Sequence, residues 1–154
     1  MFVNLKNENA PYVPITDRRM TRFWITVTAG VDFVLSSFDM MKGGEIFVPK
    51  IPSMKITDVA SAIAPNIEQK EVGIRPGEKL HETMITLDDA RATYELEDRY
   101  VIEPTQLAWW QEGTYNEKGG VKVPDDFCYS SDSNKHWLDR TQLIEMIRQV
   151  GIEM

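Results

Sequence analysis

Apolar residues recur at spacings of three and four along residues 24–38, at Trp24, Val27, Val31, Val34, Leu35 and Phe38. That rhythm places them on one side of a helix and predicts an amphipathic helix with a buried stripe. Ile56, Val59, Ala60 and Ile63 repeat the pattern. They predict a second helix that stops before Pro65, because the proline ring disfavours helical geometry in the residue ahead of it. Between the two, residues 45–48 read as a short strand bounded by Gly44 and Pro49. Residues 67–74 read as another strand. The order helix, strand, helix, strand predicts βαβ-type packing against a parallel sheet.

The ends and the second half carry weaker patterns. Residues 2–9 read as the tail of a helix and residues 12–15 as an extended piece beside Pro11 and Pro14. Tyr94 and residues 99–103 read as short strands, and residues 127–131 as extended. Residues 113–123 read as a polar loop turning at Gly119-Gly120. Trp109 and Trp110 fall in an irregular stretch and are candidates for a subunit contact. Asp139 and Gln142 have the spacing of a capping box. They open a final helix with Leu143, Ile144, Ile147 and Val150 on its buried side and Gly151 at its end.

Composition narrows the function classes. The chain has 154 residues, which suits one domain, and 42% apolar residues, which suffice for a core. A net charge of -7 argues against nucleic acid and against an anionic membrane surface, both of which select basic patches. The one cysteine, Cys128, excludes an internal disulfide and fits a reducing compartment; it reads as a small packed side chain. His81 and His136 lack metal-ligand spacing, so no metal is expected. The first eleven residues include Asn4, Lys6, Asn7, Glu8 and Asn9, which leaves no apolar signal core. No stretch reaches membrane-spanning length, and a cytoplasmic location is expected.

The chemistry-bearing stretch is Ile74-Arg75-Pro76-Gly77-Glu78-Lys79-Leu80-His81-Glu82. Proline holds Arg75 in extended geometry, and Pro-Gly favours a tight turn. The turn presents a guanidinium and, three residues later, a carboxylate. A guanidinium fork suits a diphosphate, and a carboxylate suits the paired hydroxyls of a ribose. A plain surface turn, with Arg75 paired to Glu71 or Glu78, accounts for the same residues. A second arginine, Arg22, stands in Met20-Thr21-Arg22-Phe23-Trp24, just before the apolar run; a surface pair with Asp17 is its bland alternative. Lys79, His81 and Glu82 read as structural, and Trp24 as core.

With Gly44-Glu45-Ile46-Phe47-Val48-Pro49-Lys50-Ile51-Pro52-Ser53-Met54-Lys55-Ile56, these segments resemble, in order, the C-terminal half of a nucleotide-sugar 4,6-dehydratase. The family is the inverting UDP-N-acetylglucosamine 4,6-dehydratases of the extended short-chain dehydrogenase/reductase superfamily. The resemblance runs over residues 2–147 and is weakest over residues 94–123. The wording at residues 48–56, with Tyr129-Ser130-Ser131, Asn134 and Trp137-Leu138, resembles the inverting branch rather than the membrane-anchored retaining one.

The resemblance implies an α/β fold, the C-terminal part of a Rossmann-type enzyme with its small substrate-binding subdomain, here a single partial domain over residues 1–154. It implies that Arg22 and Arg75 contact the nucleotide diphosphate. Glu78 would hold the ribose hydroxyls, and Tyr12-Val13-Pro14 would lie along the uracil, chiefly through backbone. The partner implied is a UDP-sugar, in surface-polysaccharide or pseudaminic acid-type synthesis. In the parent reaction NADP takes hydride from C4, water leaves across C5 and C6, and hydride returns to C6 with inversion at C5.

The cofactor half is missing from the pattern. The sequence has no Gly-x-Gly-x-x-Gly or Gly-x-x-Gly-x-x-Gly for a pyrophosphate. Its five tyrosines, Tyr12, Tyr94, Tyr100, Tyr115 and Tyr129, are followed four residues on by Thr16, Asp98, Pro104, Gly119 and Ser133. None forms the superfamily's Tyr-x-x-x-Lys pair. The expectation is a substrate-binding half with the NADP site outside this chain, inactive alone. It would either pair with the missing half or form a homo-oligomer. The competing readings are an inactive orphan fragment and an oligomerisation module. Exposed strand edges and apolar faces are expected, with a tendency to associate.

Overall fold

The computed structural model describes residues 1–105 and 113–151. Trp109 and Trp110 lie outside the described residues. The helices are α1 (Phe2–Asn7), α2 (Val27–Met40), α3 (Ile56–Ile63), α4 (Leu87–Ala90) and α5 (Arg140–Gln149). The strands are β1 (Val13–Ile15), β2 (Thr21–Phe23), β3 (Ile46–Pro49), β4 (Ser53–Lys55), β5 (Gln69–Glu71), β6 (Thr83–Ile85), β7 (Thr93–Glu95), β8 (Arg99–Ile102), β9 (Val121–Lys122) and β10 (Tyr129–Ser130). The fold is mixed α/β and divides into two compact units. One comprises residues 1–26, 52–82 and 131–154, and the other residues 27–51 and 83–130.

In the first unit α3 is the central element. Its residues Val59, Ala62 and Ile63 pack with Met54 and Leu143, flanked by Phe2, Val3, Trp24, Leu138 and Ile147. Ala60 and Ala64 turn to Val13 and Ile15 of β1. Two small alanines let the strand approach while the larger residues meet α5. α3 ends at Ile63, ahead of Pro65, as its sequence predicts. The expected capping box on α5 is present: Gln142 N donates to Asp139 Oδ1 at 2.8 Å, and Asp139 N donates to Gln142 Oε1 at 2.9 Å. Of the side expected to be buried, Leu143 is fully so, whereas Val150 is exposed, past the helix end.

Pairing is mostly antiparallel. β1 and β5 are parallel, Val13 opposite Gln69 and Ile15 opposite Glu71. β2 and β4 are antiparallel, Arg22 opposite Met54. In the second unit the sheet β3-β8-β7-β9 is antiparallel throughout. The strand at Ile46–Pro49 therefore does not join the parallel sheet that the helix–strand alternation suggests. It pairs with Arg99–Ile102 instead, a partner 50 to 56 residues away that local periodicity cannot reveal.

α2 differs from expectation in a more consequential way. The helix forms, but its apolar stripe is not buried. Val27 is 82% and Phe38 63% exposed, and Val31, Val34 and Leu35 are exposed as well. The side turned to the sheet is partly polar. The buried guanidinium of Arg99 donates to Ser37 Oγ at 2.9 Å and Ser36 Oγ at 2.7 Å, and stacks 4.6 Å from the Phe33 ring. Asp98 completes the fork at 2.7 and 2.9 Å. A buried guanidinium requires such partners, so its serines fix which side of α2 faces in.

Tyr115 corrects the reading of residues 113–123 as a wholly polar loop. It is fully buried, packed with Tyr94 and Val101 and edge-on to Phe47 at 6.0 Å. Its hydroxyl donates to Glu45 Oε1 at 2.6 Å. Burial and the Glu45 carboxylate together push the phenol above its ordinary range. For Glu45, burial works upward, but the Tyr115 hydroxyl and the backbone N–H groups of Lys42 and Gly43 outweigh it and hold the carboxyl low. The turn closes tightly at Gly120, where a side chain would stand 2.7 Å from the Tyr115 carbonyl oxygen.

Candidate functional site

The candidate site lies on the first unit, where β1, β2 and the loop after β5 meet. β5 runs beside β1 and leads into residues 72–82. The loop turns at Arg75-Pro76-Gly77-Glu78, where Glu78 N donates to Arg75 O at 3.0 Å. Gly77 has φ 79°. Proline followed by a positive φ is the geometry of a type II turn, which glycine adopts without steric cost. The Glu78 carboxylate folds back and accepts the Arg75 backbone N–H at 3.3 Å.

The Arg75 side chain is exposed on this turn. The two carboxylates that could have paired with it are engaged elsewhere. Glu71 faces Arg18 at 3.6 Å, and Glu78 accepts backbone. Among the described residues the Arg75 guanidinium forms no ion pair, so its donor fork faces outward.

Arg22 is arranged differently. It sits on β2, paired against β4, with its side chain largely covered. Nη1 donates to Thr21 O at 2.7 Å and Leu80 O at 3.2 Å, and Nη2 donates to Lys79 O at 2.9 Å. Nε faces Glu82 Oε1 at 3.7 Å. The other oxygen of Glu82 accepts the Phe23 N–H at 2.9 Å. Arg22 and Glu82 thus lash residues 79–82 to β2, directly behind the turn that carries Arg75 and Glu78. Asp17, the alternative partner, is taken by Arg19 at 2.8 Å. The Arg19 side-chain hydrogen bonds hold the Asp17 carboxyl down at about 2.

A polar cluster that sequence reasoning missed reinforces the same segment. Thr21 Oγ1 lies 2.8 Å from His81 Nδ1 and 2.6 Å from Ser131 Oγ, which accepts the Glu82 N–H at 2.9 Å. Thr21 and Ser131 are buried. The Ser130-Ser131 pair was a signal available in the sequence, but nothing local tied it to position 21. Tyr12 precedes β1 and is 38% exposed, with Lys70 Nζ 5.0 Å from its ring centroid. β1 pairs only with β5, so its other edge has no strand partner among the described residues.

The candidate site offers an exposed guanidinium and a carboxylate on the loop after β5, and the extended backbone edge of β1. Among the described residues no group of three His, Cys, Asp or Glu side chains is placed to hold a metal. No helix among them is long and apolar enough to cross a membrane.

Comparison with known proteins gives the chain a family. The chain belongs to the polysaccharide biosynthesis protein family, whose profile matches residues 1–104. It is 53% identical over 151 residues to the UDP-N-acetylglucosamine 4,6-dehydratase (inverting) of Campylobacter jejuni serotype O:2, covering 95% of this chain and 45% of that protein. It is 31% identical over 106 residues to the UDP-glucose 4-epimerase of Rickettsia conorii, covering 66% of this chain and 31% of that protein. The solved structure of Pen from Bacillus thuringiensis superposes with a TM-score of 0.75 at 27% identity, over 97% of this chain and 43% of that one. The chain therefore spans less than half the length of the curated relatives it matches.

Proposed function

We propose that this chain is the nucleotide-sugar-binding part of a UDP-N-acetylglucosamine 4,6-dehydratase that inverts C5. The observation that carries the reading is the exposed Arg75 guanidinium, which forms no ion pair among the described residues, on a turn fixed by Pro76, Gly77 and the Glu78 carboxylate. The turn fixes the backbone that bears the guanidinium, and the planar fork can bind a diphosphate through charge-assisted, bidentate bonds.

In this reading Arg75 takes the diphosphate. Glu78 exchanges its bond to the Arg75 N–H for the ribose hydroxyls. The edge of β1 at Tyr12-Val13-Pro14 receives the uracil through its backbone. Arg22 spends three bonds on carbonyls and retains one Nη2–H to reach a phosphate oxygen. Its main contribution is to hold the loop. The family resemblance and the 53% identity to the Campylobacter protein support these roles.

NADP, which would supply and recover the hydride, does not fit the residues present. A dinucleotide cradle needs glycines where a strand opens into a helix. Here β4 passes into α3 at Lys55-Ile56. The positive-φ glycines lie elsewhere: Gly43 and Gly44 follow a helix, Gly73 and Gly77 lie in the loop, Gly113 and Gly119 flank a turn, and Gly151 follows α5. No chemical step is assigned to this chain. The cofactor site belongs to the remaining part of such an enzyme, and a cytoplasmic setting goes with soluble nucleotide-sugar substrates.

Calorimetric titration of the purified chain with UDP and with UDP-N-acetylglucosamine tests the reading. Binding of both, without turnover when NADP is added, is expected. A folded chain that binds neither, or one that dehydrates the sugar unaided, overturns it.

A further inference from the structure

The end of the loop that carries Arg75 is held by a chain of three side chains, and that chain has a direction. The Glu82 N–H donates to Ser131 Oγ at 2.9 Å. Ser131 is fully buried, and among the described residues the one acceptor within reach of its hydroxyl proton is Thr21 Oγ1, 2.6 Å away. Ser131 therefore donates to Thr21. The Thr21 hydroxyl, with that bond accepted, donates onward to His81 Nδ1 at 2.8 Å. A ring nitrogen that accepts a hydrogen bond carries no proton, so the arrangement selects the neutral imidazole with its proton on Nε2. Backbone bonds tie the same residues to the loop: Ser131 N donates to Glu82 O at 2.8 Å, and Thr21 N to Leu80 O at 3.2 Å.

We infer that the His81–Thr21–Ser131 chain is a pH-sensitive latch on the loop that carries Arg75 and Glu78, so that protonation of His81 weakens the binding of a UDP-sugar. This rests on the nucleotide-binding reading above. A protonated imidazole has an N–H donor on both nitrogens. Nδ1 must then donate to Thr21, and the Thr21 hydroxyl must turn to Ser131. The Ser131 hydroxyl, already an acceptor from Glu82, is left with no acceptor of its own. A buried donor without a partner is unfavourable, and the chain relieves it by parting from residues 81–82. Histidine is the side chain whose charge ordinarily changes between about pH 5 and 8. The ionisable groups on the segments that meet here set the balance. Asp17, in the turn before β2, interacts with His81 and favours the charged ring, but it is bound to Arg19. Arg22 on β2 and Glu82 beside His81 face each other at 3.7 Å. Lys55, opposite Thr21 on β4, Lys79 on the loop and Asp132 after Ser131 are all exposed, where water and salt screen them.

The test is calorimetric titration of the chain with UDP-N-acetylglucosamine at about pH 8 and at about pH 5.5. The sugar nucleotide is the probe because its diphosphate is esterified at both ends, whereas the terminal phosphate of UDP itself titrates at about pH 6. Affinity is expected to fall about fivefold or more at the lower pH, the lower bound for stranding a buried donor. His81→Asn places an amide where Nδ1 stands, which bonds Thr21 without titrating, and its affinity should be the same at both pH values. In Ser131→Ala no hydroxyl is left to strand, so the fall should shrink there too. Amide exchange over residues 79–82 in the free chain, corrected for its intrinsic pH dependence, reads the latch without ligand. It should quicken at the lower pH in the unsubstituted chain and not in His81→Asn. Equal affinity of the unsubstituted chain at both pH values, or an equal fall in His81→Asn, overturns the inference. No binding at either pH defeats the nucleotide reading and the regulation with it; binding with unchanged exchange at the lower pH defeats the latch alone.

Discussion

Arg22 Nη2 donates to the carbonyl oxygen of Lys79 at 2.9 Å, so an arginine on β2 grips the backbone of the loop that carries Arg75. Removing that grip should loosen residues 75–82. Arg22→Ala is expected to lower unfolding stability by about 1–3 kcal/mol, the cost of stranding hydrogen-bonding groups. Faster amide exchange over residues 79–82 should accompany it. Arg22→Lys should not restore it, because an ammonium lacks the planar fork that reaches Thr21, Lys79 and Leu80 together. Chemical denaturation and hydrogen exchange check both expectations.

Gly77 sits at φ 79° in open space, with nothing within 4 Å of an added Cβ. Gly77→Ala therefore meets no clash and costs only backbone strain, about 1–2 kcal/mol. Because the turn is exposed, the chain can relieve that strain by changing the turn itself. Weaker UDP affinity with nearly unchanged melting is the expected signature.

Tyr115→Phe removes a hydroxyl that donates to Glu45 at 2.6 Å and leaves that half-buried carboxylate with only its backbone donors from Lys42 and Gly43. A loss of about 1–3 kcal/mol in unfolding free energy is expected. UDP affinity should not change, which calorimetry on the same variant checks.

Asp17 sets an acid limit. Its carboxyl is lowered from 3.8 to about 2 by the Arg19 hydrogen bonds. A group lowered on folding contributes stability that is complete above its unfolded value and is lost as pH falls through its folded value. The contribution should therefore fade between pH 3.8 and about 2. In Asp17→Asn the melting temperature should fall less steeply across that window than in the unsubstituted chain. Parallel thermal melts in acidic buffers decide it.

Much of the local structure was legible because local chemistry set it. Pro65 stopped α3, Asp139 and Gln142 capped α5, and Pro76-Gly77 made the turn. Periodicity showed that α2 has an apolar side but could not show what covers it, and there the reading failed: Arg99, more than 60 residues away, holds the other side inward. The antiparallel partner of Ile46–Pro49 was hidden for the same reason. At the site, the Arg75 turn could be read from four consecutive residues. The use of Arg22 as a clamp could not, since its partners are backbone carbonyls 57 and 58 positions on.

The most direct measurement compares UDP binding and unfolding in Arg75→Ala. In the proposed reading the exposed Arg75 guanidinium, which forms no ion pair among the described residues, contributes to ligand binding and not to the fold. Affinity should fall by about 1.5–3 kcal/mol, the value of a hydrogen bond to a charged group, with the unfolding midpoint unmoved. Unchanged UDP affinity in a folded variant would contradict the account, because the diphosphate would then be held by something other than Arg75.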